Sequence, residues 1–223
     1  MHMTRNPLVS IALILTFLSA GCATTRKAYY NTWEKFGYAK RERLVDNVKD
    51  ARKEQVEAKE QFANALEEFK SVVNFKGGDL EKMYNKLNGA YKDSESQAGQ
   101  VKDKITGVKR VANALFTEWA GEIAEIKGDP SLQQSSQQLY NKTKANYGEM
   151  IQSMDQAAAT MDPVLQRFKN RVIFVKSNLN AEAIASLAGM EVELGADIER
   201  LIKEMEASIA EADKFIAETQ AKK

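Results

Sequence analysis

Histidine, cysteine and proline are scarce in this sequence, which has one histidine, one cysteine and three prolines among 223 residues. Histidine and cysteine supply most zinc ligands, the commonest general base and a common catalytic nucleophile. A single cysteine also cannot form a disulfide within its own chain. We therefore expect a protein that is not an enzyme and that has no catalytic residues, no bound cofactor and no metal site.

Neither sign of charge predominates, because 32 Lys plus Arg accompany 31 Asp plus Glu. Removal of Arg5 with an export signal would make the two numbers equal. Proteins that bind nucleic acid need a basic surface, since contacts to the phosphate backbone dominate their affinity. The composition therefore predicts no nucleic-acid partner.

Residues 1–21 have the three parts of an export signal. Arg5 supplies the positive start, Leu8–Leu18 is an apolar run broken only by one serine and one threonine, and small residues lead to Cys22. An apolar run of about 11 residues is too short for a spanning helix, which needs ~20. The pattern predicts a cleaved signal peptide. In an ordinary signal Cys22 would be incidental, but its place at the cleavage position favours a functional cysteine.

Leu18-Ser19-Ala20-Gly21-Cys22 resembles the lipobox of bacterial lipoproteins. The resemblance implies diacylglycerol on the Cys22 sulfur, cleavage before Cys22 and acylation, for example by palmitate, of the new amine. The family usually has leucine three residues before the cysteine, whereas Ser19 is there in this sequence. Ala23 follows the cysteine in place of the Asp that resembles an inner-membrane retention signal. The resemblance therefore implies a lipid anchor at the periplasmic face of the outer membrane, in preference to the inner membrane.

Apolar residues recur at heptad-like spacing through the rest of the chain, which predicts an all-α fold. Residues 22–26 would form a short lipidated tether. Helices would follow at about 27–75, 80–126, 131–177 and 181–221, and the short turns between them would make neighbours antiparallel. We therefore predict that residues 27–223 form an elongated antiparallel four-helix, coiled-coil-like bundle.

The predicted core positions are spaced alternately three and four residues apart along most of each helix. Two of them, Gln55 and Ser94, are polar. The positions are Leu44, Val48, Ala51, Gln55, Ala58, Phe62, Ala65, Phe69 and Val72 in the first helix; Leu80, Met83, Leu87, Ala90, Ser94, Ala98, Val101, Ile105, Val108, Ala112, Leu115 and Trp119 in the second; Tyr147, Met150, Met154, Ala157, Met161, Val164 and Phe168 in the third; and Ile184, Leu187, Leu194, Ile198, Leu201, Met205, Ala212 and Phe215 in the fourth.

Several residues indicate where helices start. Asp79 is the predicted N-cap of the second helix, and Ser131 with Gln134 is a predicted capping box for the third. Pro163 either kinks the third helix or, with Asp162 as a new N-cap, breaks it. The apolar spacing continues in phase through Pro163, which favours a kink, and both possibilities stay open.

Two internal segments carry a further resemblance. Met161-Asp162-Pro163-Val164-Leu165 and the ten residues Asn178–Leu187, behind a lipobox, resemble an uncharacterised family of bacterial lipoproteins, classed as a domain of unknown function. The likeness covers most of the mature chain. It implies no activity and no site residues.

Aromatic residues are concentrated just after the proposed anchor, at Tyr29, Tyr30, Trp33, Phe36 and Tyr38. They could form a collar at the lipid headgroups. They could also form an aromatic plug that closes one end of the core, together with residues of the second helix. Those second-helix residues are Phe116 and Trp119. The second interpretation is favoured because Trp33 and Trp119 can pack on each other.

An anchor and a helical body without recognisable chemistry predict a non-enzymatic envelope scaffold, spacer or adaptor, bound to the membrane through Cys22. Its partner would be another envelope protein or a second copy of the chain. The alternative is a carrier of an apolar ligand such as a lipid, in the core around Met150, Met154 and Met161. Partner contacts would use the bundle end distant from the anchor, at Phe75, Lys76, Asp79, Arg171 and Lys176.

Overall fold

The computed structural model describes residues 21–74, 79–178, 180, 182 and 186–220, with side chains from Lys40 onward. The predicted signal residues 1–20 lie outside this part of the chain. The chain divides into two compact units, Met1–Glu42 and Arg43–Lys223. All packing discussed below lies within the second unit.

The residues that the structure describes form four long α-helices: α1 Gly21–Val73, α2 Leu80–Glu125, α3 Pro130–Ser177 and α4 Ala188–Gln220. The described part contains no strand, so the fold is the predicted all-α bundle.

The helix bounds differ from the predicted ones at two places. Residues 22–26, expected as an extended tether, continue α1, because no proline or glycine between Ala23 and Phe36 interrupts the helix. The long fourth helix begins at Ala188, after a turn at Leu187, and Glu182 and Ser186 before that turn are also helical. There the Leu187 carbonyl accepts from the backbone N–H groups of Met190 and Glu191, at 2.9 and 3.0 Å, so the first turn of α4 starts after Leu187.

Ion pairs between helices show how the second unit is arranged. In each neighbouring pair, residue numbers rise along one helix as they fall along the other, which makes all four neighbouring pairs antiparallel, and α4 returns to α1. The pairs are Asp50–Lys104 and Glu68–Lys86 between α1 and α2, Lys102–Asp162 and Lys109–Asp155 between α2 and α3, Glu149–Lys214 and Arg171–Glu193 between α3 and α4, and Arg52–Asp213 and Lys59–Glu206 between α4 and α1.

The core follows the predicted apolar positions closely. Every predicted position of α1, Gln55 included, is at most 1% exposed. The predicted positions of α2, α3 and α4 within the described residues are also buried, except that Leu80, Met83, Trp119 and Tyr147 are half-buried. Burial of these stripes removes apolar surface from water, worth about 25 cal/mol per Å², and accounts for the formation of one continuous core.

Two N-caps are visible in the structure. The predicted cap of α2 is confirmed, because Asp79 Oδ1 accepts from the backbone N–H of Lys82 at 3.0 Å. The predicted cap of α3 is wrong. Asp129 caps this helix by accepting from the Leu132 N–H at 3.0 Å, and Pro130, whose ring fixes φ and which has no N–H to satisfy, occupies the first helical position. Ser131 therefore lies inside the first turn.

Pro163 lies within α3, which is continuous from Pro130 to Ser177. The helix is therefore not broken at Asp162. The proline ring is exposed, while Met161 and Val164 on either side of it remain buried in the core.

Candidate functional site

The predicted contact residues that the structure describes lie at one end of the second unit, which we call the turn end; there α1 ends, α2 begins, α3 ends and α4 begins. Phe75 and Lys76 lie outside the described residues. Asp79 is exposed, but its carboxylate is occupied in capping α2. Lys176 is exposed in the last turn of α3. Among the predicted contact residues that the structure describes, Lys176 is thus the one that is exposed and neither caps a helix nor packs between helices.

Arg171, also predicted as a contact residue, is buried and only 8% exposed. Its guanidinium donates to the Arg167 carbonyl at 3.0 Å and to the Glu193 carboxylate at 3.0 Å. Its Nε has no hydrogen-bond partner within the described part of the chain. The structure therefore places Arg171 between α3 and α4, where it stabilises helix packing.

A second buried charge lies close to Arg171. The Asp197 side chain is 6% exposed and forms ion pairs with Arg167 of α3 and with Arg200 one turn away on α4. Sequence periodicity missed this residue, although it directly precedes the core residue Ile198. The only sequence signal was a carboxylate beside the apolar stripe of α4 together with the two arginines of α3. A buried charge is destabilising without a partner, so the ion pair of buried Asp197 with partly exposed Arg167 stabilises the packing of α4 against α3.

Two polar residues of the predicted core are completely buried. Gln55 of α1 donates from Nε2 to the Ser208 hydroxyl of α4 at 2.8 Å, and that hydroxyl donates to Gln55 Oε1 at 3.2 Å. Ser94 of α2 donates instead to the Ala90 carbonyl of its own helix at 2.8 Å. Gln55 and Ser208 therefore form a polar contact between helices, whereas Ser94 satisfies itself locally.

Four aromatic rings pack together between α2 and α3. Phe116 is 7% exposed and contacts Tyr140 and Tyr147, with ring centroids 5.7 and 5.4 Å apart, and Trp119 contacts Tyr140 at 5.6 Å. The predicted aromatic residues before Lys40 lie outside the described side chains, so the choice between collar and plug stays open. Burial, with the Asp155 carboxylate nearby, raises the pKa of the Tyr147 hydroxyl.

Cys22 lies in the first turn of α1, and its side chain is outside the described part. In the described residues, no cluster of His, Cys, Asp and Glu side chains could hold a metal ion. Nor is any helix of that part both long and apolar enough to cross a bilayer.

These features define a class of protein: an antiparallel four-helix bundle whose buried polar contacts connect its helices. Residues 29–219 match the model of a family described as a protein of unknown function (DUF2959), and the chain belongs to that family. No curated protein and no solved structure matches the chain significantly.

Proposed function

We propose that this protein is a non-enzymatic lipoprotein, anchored through Cys22 to the periplasmic face of the outer membrane, that acts as an envelope scaffold, spacer or adaptor. The observation that carries the proposal is the position of Cys22, the only cysteine, directly after a short apolar run and three small residues. Several acyl chains on one residue give a stable anchor, whereas one chain alone binds a membrane only marginally.

The bundle itself supports a structural role. Helix α1, which begins next to Cys22, also supplies Leu44 and Val72 to the core. The core methionines proposed for a lipid carrier, Met150, Met154 and Met161, are fully buried in side-chain packing. Binding a lipid there would require displacing well-packed side chains, because protein interiors are close-packed and leave few voids.

The anchor can be tested by growing cells with labelled palmitate and isolating the protein. We expect label in the wild type and none in Cys22→Ser, because serine offers no thiol for the diacylglycerol. Ser19→Leu is the matched control, since it places leucine three residues before Cys22 and should retain or increase the label. An unlabelled wild type would refute the anchor.

Membrane sorting is tested by a second substitution. If Ala23 allows transfer to the outer membrane, Ala23→Asp should move the protein to the inner-membrane fraction of a density gradient, while Ala23→Ser should leave it in place. Wild-type protein in the inner-membrane fraction would contradict the proposed location.

The scaffold role requires a partner, and the turn end is the surface we propose for it. A photo-crosslinking residue in place of exposed Lys176 or Lys82 should give a discrete adduct in cells. The same residue in place of Asp103, which is exposed midway along α2, is the control and should give none. Equal crosslinking from all three positions, or from none, would count against a specific contact at the turn end.

A further inference from the structure

A cleft of about 390 Å³ lies between α2 and α3. Its volume falls within the range of ligand sites, about 300–1,000 Å³. The α2 wall consists of residues three, four and seven apart, which form one helix face, and the α3 wall is similar. The lining residues are Lys109, Asn113, Phe116, Thr117, Ala120, Tyr140, Lys144 and Tyr147.

Aromatic rings form the apolar part of this cleft. Phe116 meets Tyr140 edge to face at an interplanar angle of 86° and Tyr147 at 58°. Tyr140 is in turn held by Trp119 at 84°. Because each ring packs against at least one other, the aromatic surface is fixed before any ligand arrives, which lowers the entropic cost of binding.

The cleft also carries positive charge. The Lys144 ammonium lies 5.3 Å from the centroid of the Tyr140 ring and donates to the Tyr140 hydroxyl at 3.1 Å. Among the described residues no carboxylate forms an ion pair with Lys144, whereas Lys109 pairs with Asp155 at 2.6 Å. Lys144 therefore offers an ammonium group that an incoming anion can neutralise.

The space exists because α2 presents small or short side chains there. Ala120 leaves the wall open where a leucine would fill it, and Asn113 and Thr117 add hydrogen-bonding groups beside the rings. A cleft with an apolar surface, short polar groups and one ammonium that no described carboxylate neutralises matches a ligand that is apolar along its body and anionic at one end.

We propose that the α2–α3 cleft binds an anionic amphiphile, with its phosphate or carboxylate on Lys144 and its apolar body against Phe116, Tyr140 and Tyr147. This inference does not depend on lipidation of Cys22, and it concerns a surface cleft and not the methionine core. The anion could belong to a lipid headgroup or to a free phosphate, and the choice of probes separates these sources.

The probe is octyl phosphate below its micellar concentration. Octyl glucoside has the same apolar chain without the anion, and inorganic phosphate has the anion without the chain. Trp33→Phe in the full chain leaves Trp119, which contacts Tyr140, as the one remaining tryptophan. We expect saturable, one-to-one quenching or shift of Trp119 fluorescence with octyl phosphate, confirmed by calorimetry. Binding of the other two compounds should be at least about fivefold weaker, because each lacks one of the two interactions.

Three variants test the named residues. Lys144→Gln should weaken octyl phosphate binding about fivefold, the modest effect of losing one partly solvated charge contact. Ala120→Leu should abolish binding by filling the cleft, and its exposed helical position should accept leucine without loss of helix. Lys142→Gln removes an exposed lysine of α3 that does not line the cleft and should leave the affinity unchanged.

Several results would overturn the inference. Equal affinity for octyl glucoside would remove the role of the anion, and equal affinity for inorganic phosphate would remove the role of the apolar body. An equal loss of octyl phosphate affinity in Lys142→Gln and Lys144→Gln would indicate that the phosphate is attracted to the positive surface in general and not to Lys144. Absence of saturable binding in a protein with unchanged helical circular dichroism would refute the site itself.

Discussion

Replacing Ser208 with alanine is expected to destabilise the bundle by about 1–3 kcal/mol, the cost of leaving a buried polar group without its partner. Both hydrogen bonds between Gln55 and Ser208 disappear in this variant, at 2.8 and 3.2 Å, and both residues are completely buried. The Gln55 amide would then remain in the core with neither water nor a hydroxyl to bind. For a domain of 150–250 residues each kcal/mol lowers Tm by about 2–4 °C.

Ser94→Ala is the matched control. Ser94 is equally buried, but its hydroxyl donates to the Ala90 carbonyl of its own helix. That carbonyl is in the interior of α2 and keeps its helical backbone hydrogen bond, and alanine has the higher helix propensity. Ser94→Ala should therefore change the free energy of unfolding by less than about 0.5 kcal/mol.

The double variant Gln55→Leu with Ser208→Ala completes the measurement. Replacing both members of a buried polar pair by apolar groups is often neutral or stabilising, so the double variant should recover most of the stability lost in Ser208→Ala. Urea unfolding followed by circular dichroism gives all the free energies, with unchanged m-values as the check on two-state behaviour. If Ser208→Ala and Ser94→Ala cost the same, the reasoning is refuted. It is also refuted if the effects of Gln55→Leu and Ser208→Ala, each measured in a single variant, simply add in the double variant.

Three further predictions concern single residues. Asp129→Ala should lower the free energy of unfolding by about 1 kcal/mol through loss of the α3 cap, whereas Ser131→Ala should lower it by less than half of that. If thermal unfolding shows Ser131→Ala to be the more destabilising of the two, Ser131 is the cap. Pro163→Ala should raise stability by up to about 3 kcal/mol, because an exposed interior proline removes a helical hydrogen bond, and a loss of stability would show that α3 needs the proline. Burial, with a hydrogen bond to Glu95, raises the pKa of Tyr91 to about 12. The unfolded chain therefore ionises this tyrosine first, and the free energy of unfolding should fall between pH 10 and about 12. Tyr91→Phe, which keeps the ring near Phe168, should show a shallower fall, and identical pH profiles of the two proteins would contradict the raised pKa.

The apolar core could be predicted from the sequence because it depends on a local property. Residues such as Phe62, Met154 and Leu201 repeat every three or four positions, and that spacing alone places them on one side of a helix. The glycine and proline turns between the first three helices then fix how neighbouring helices run. The fold class and the buried positions therefore followed without knowledge of any contact between helices.

The buried charges could not be predicted in the same way. Whether Arg171 or Asp197 is buried depends on Glu193 and Arg167, which lie on a neighbouring helix and become partners only when the two helices pair in one particular register. A long arginine side chain beside an apolar stripe can equally extend into solvent. The α2–α3 cleft is hidden from the sequence for the same reason, since Ala120 and Lys144 meet only after the helices pair.

The polar contacts of α4 resolve an ambiguity that its apolar residues leave open. A shift of α4 by one heptad along its neighbours would keep apolar residues facing the core, because the stripe repeats every seven positions. The same shift would place Leu201 or Phe215 opposite Gln55, where Ser208 now lies. In one direction it would also place Met190 opposite Arg167, where Asp197 now lies. Each alternative leaves a buried polar group without a partner, so these contacts select one register among several that the apolar pattern permits.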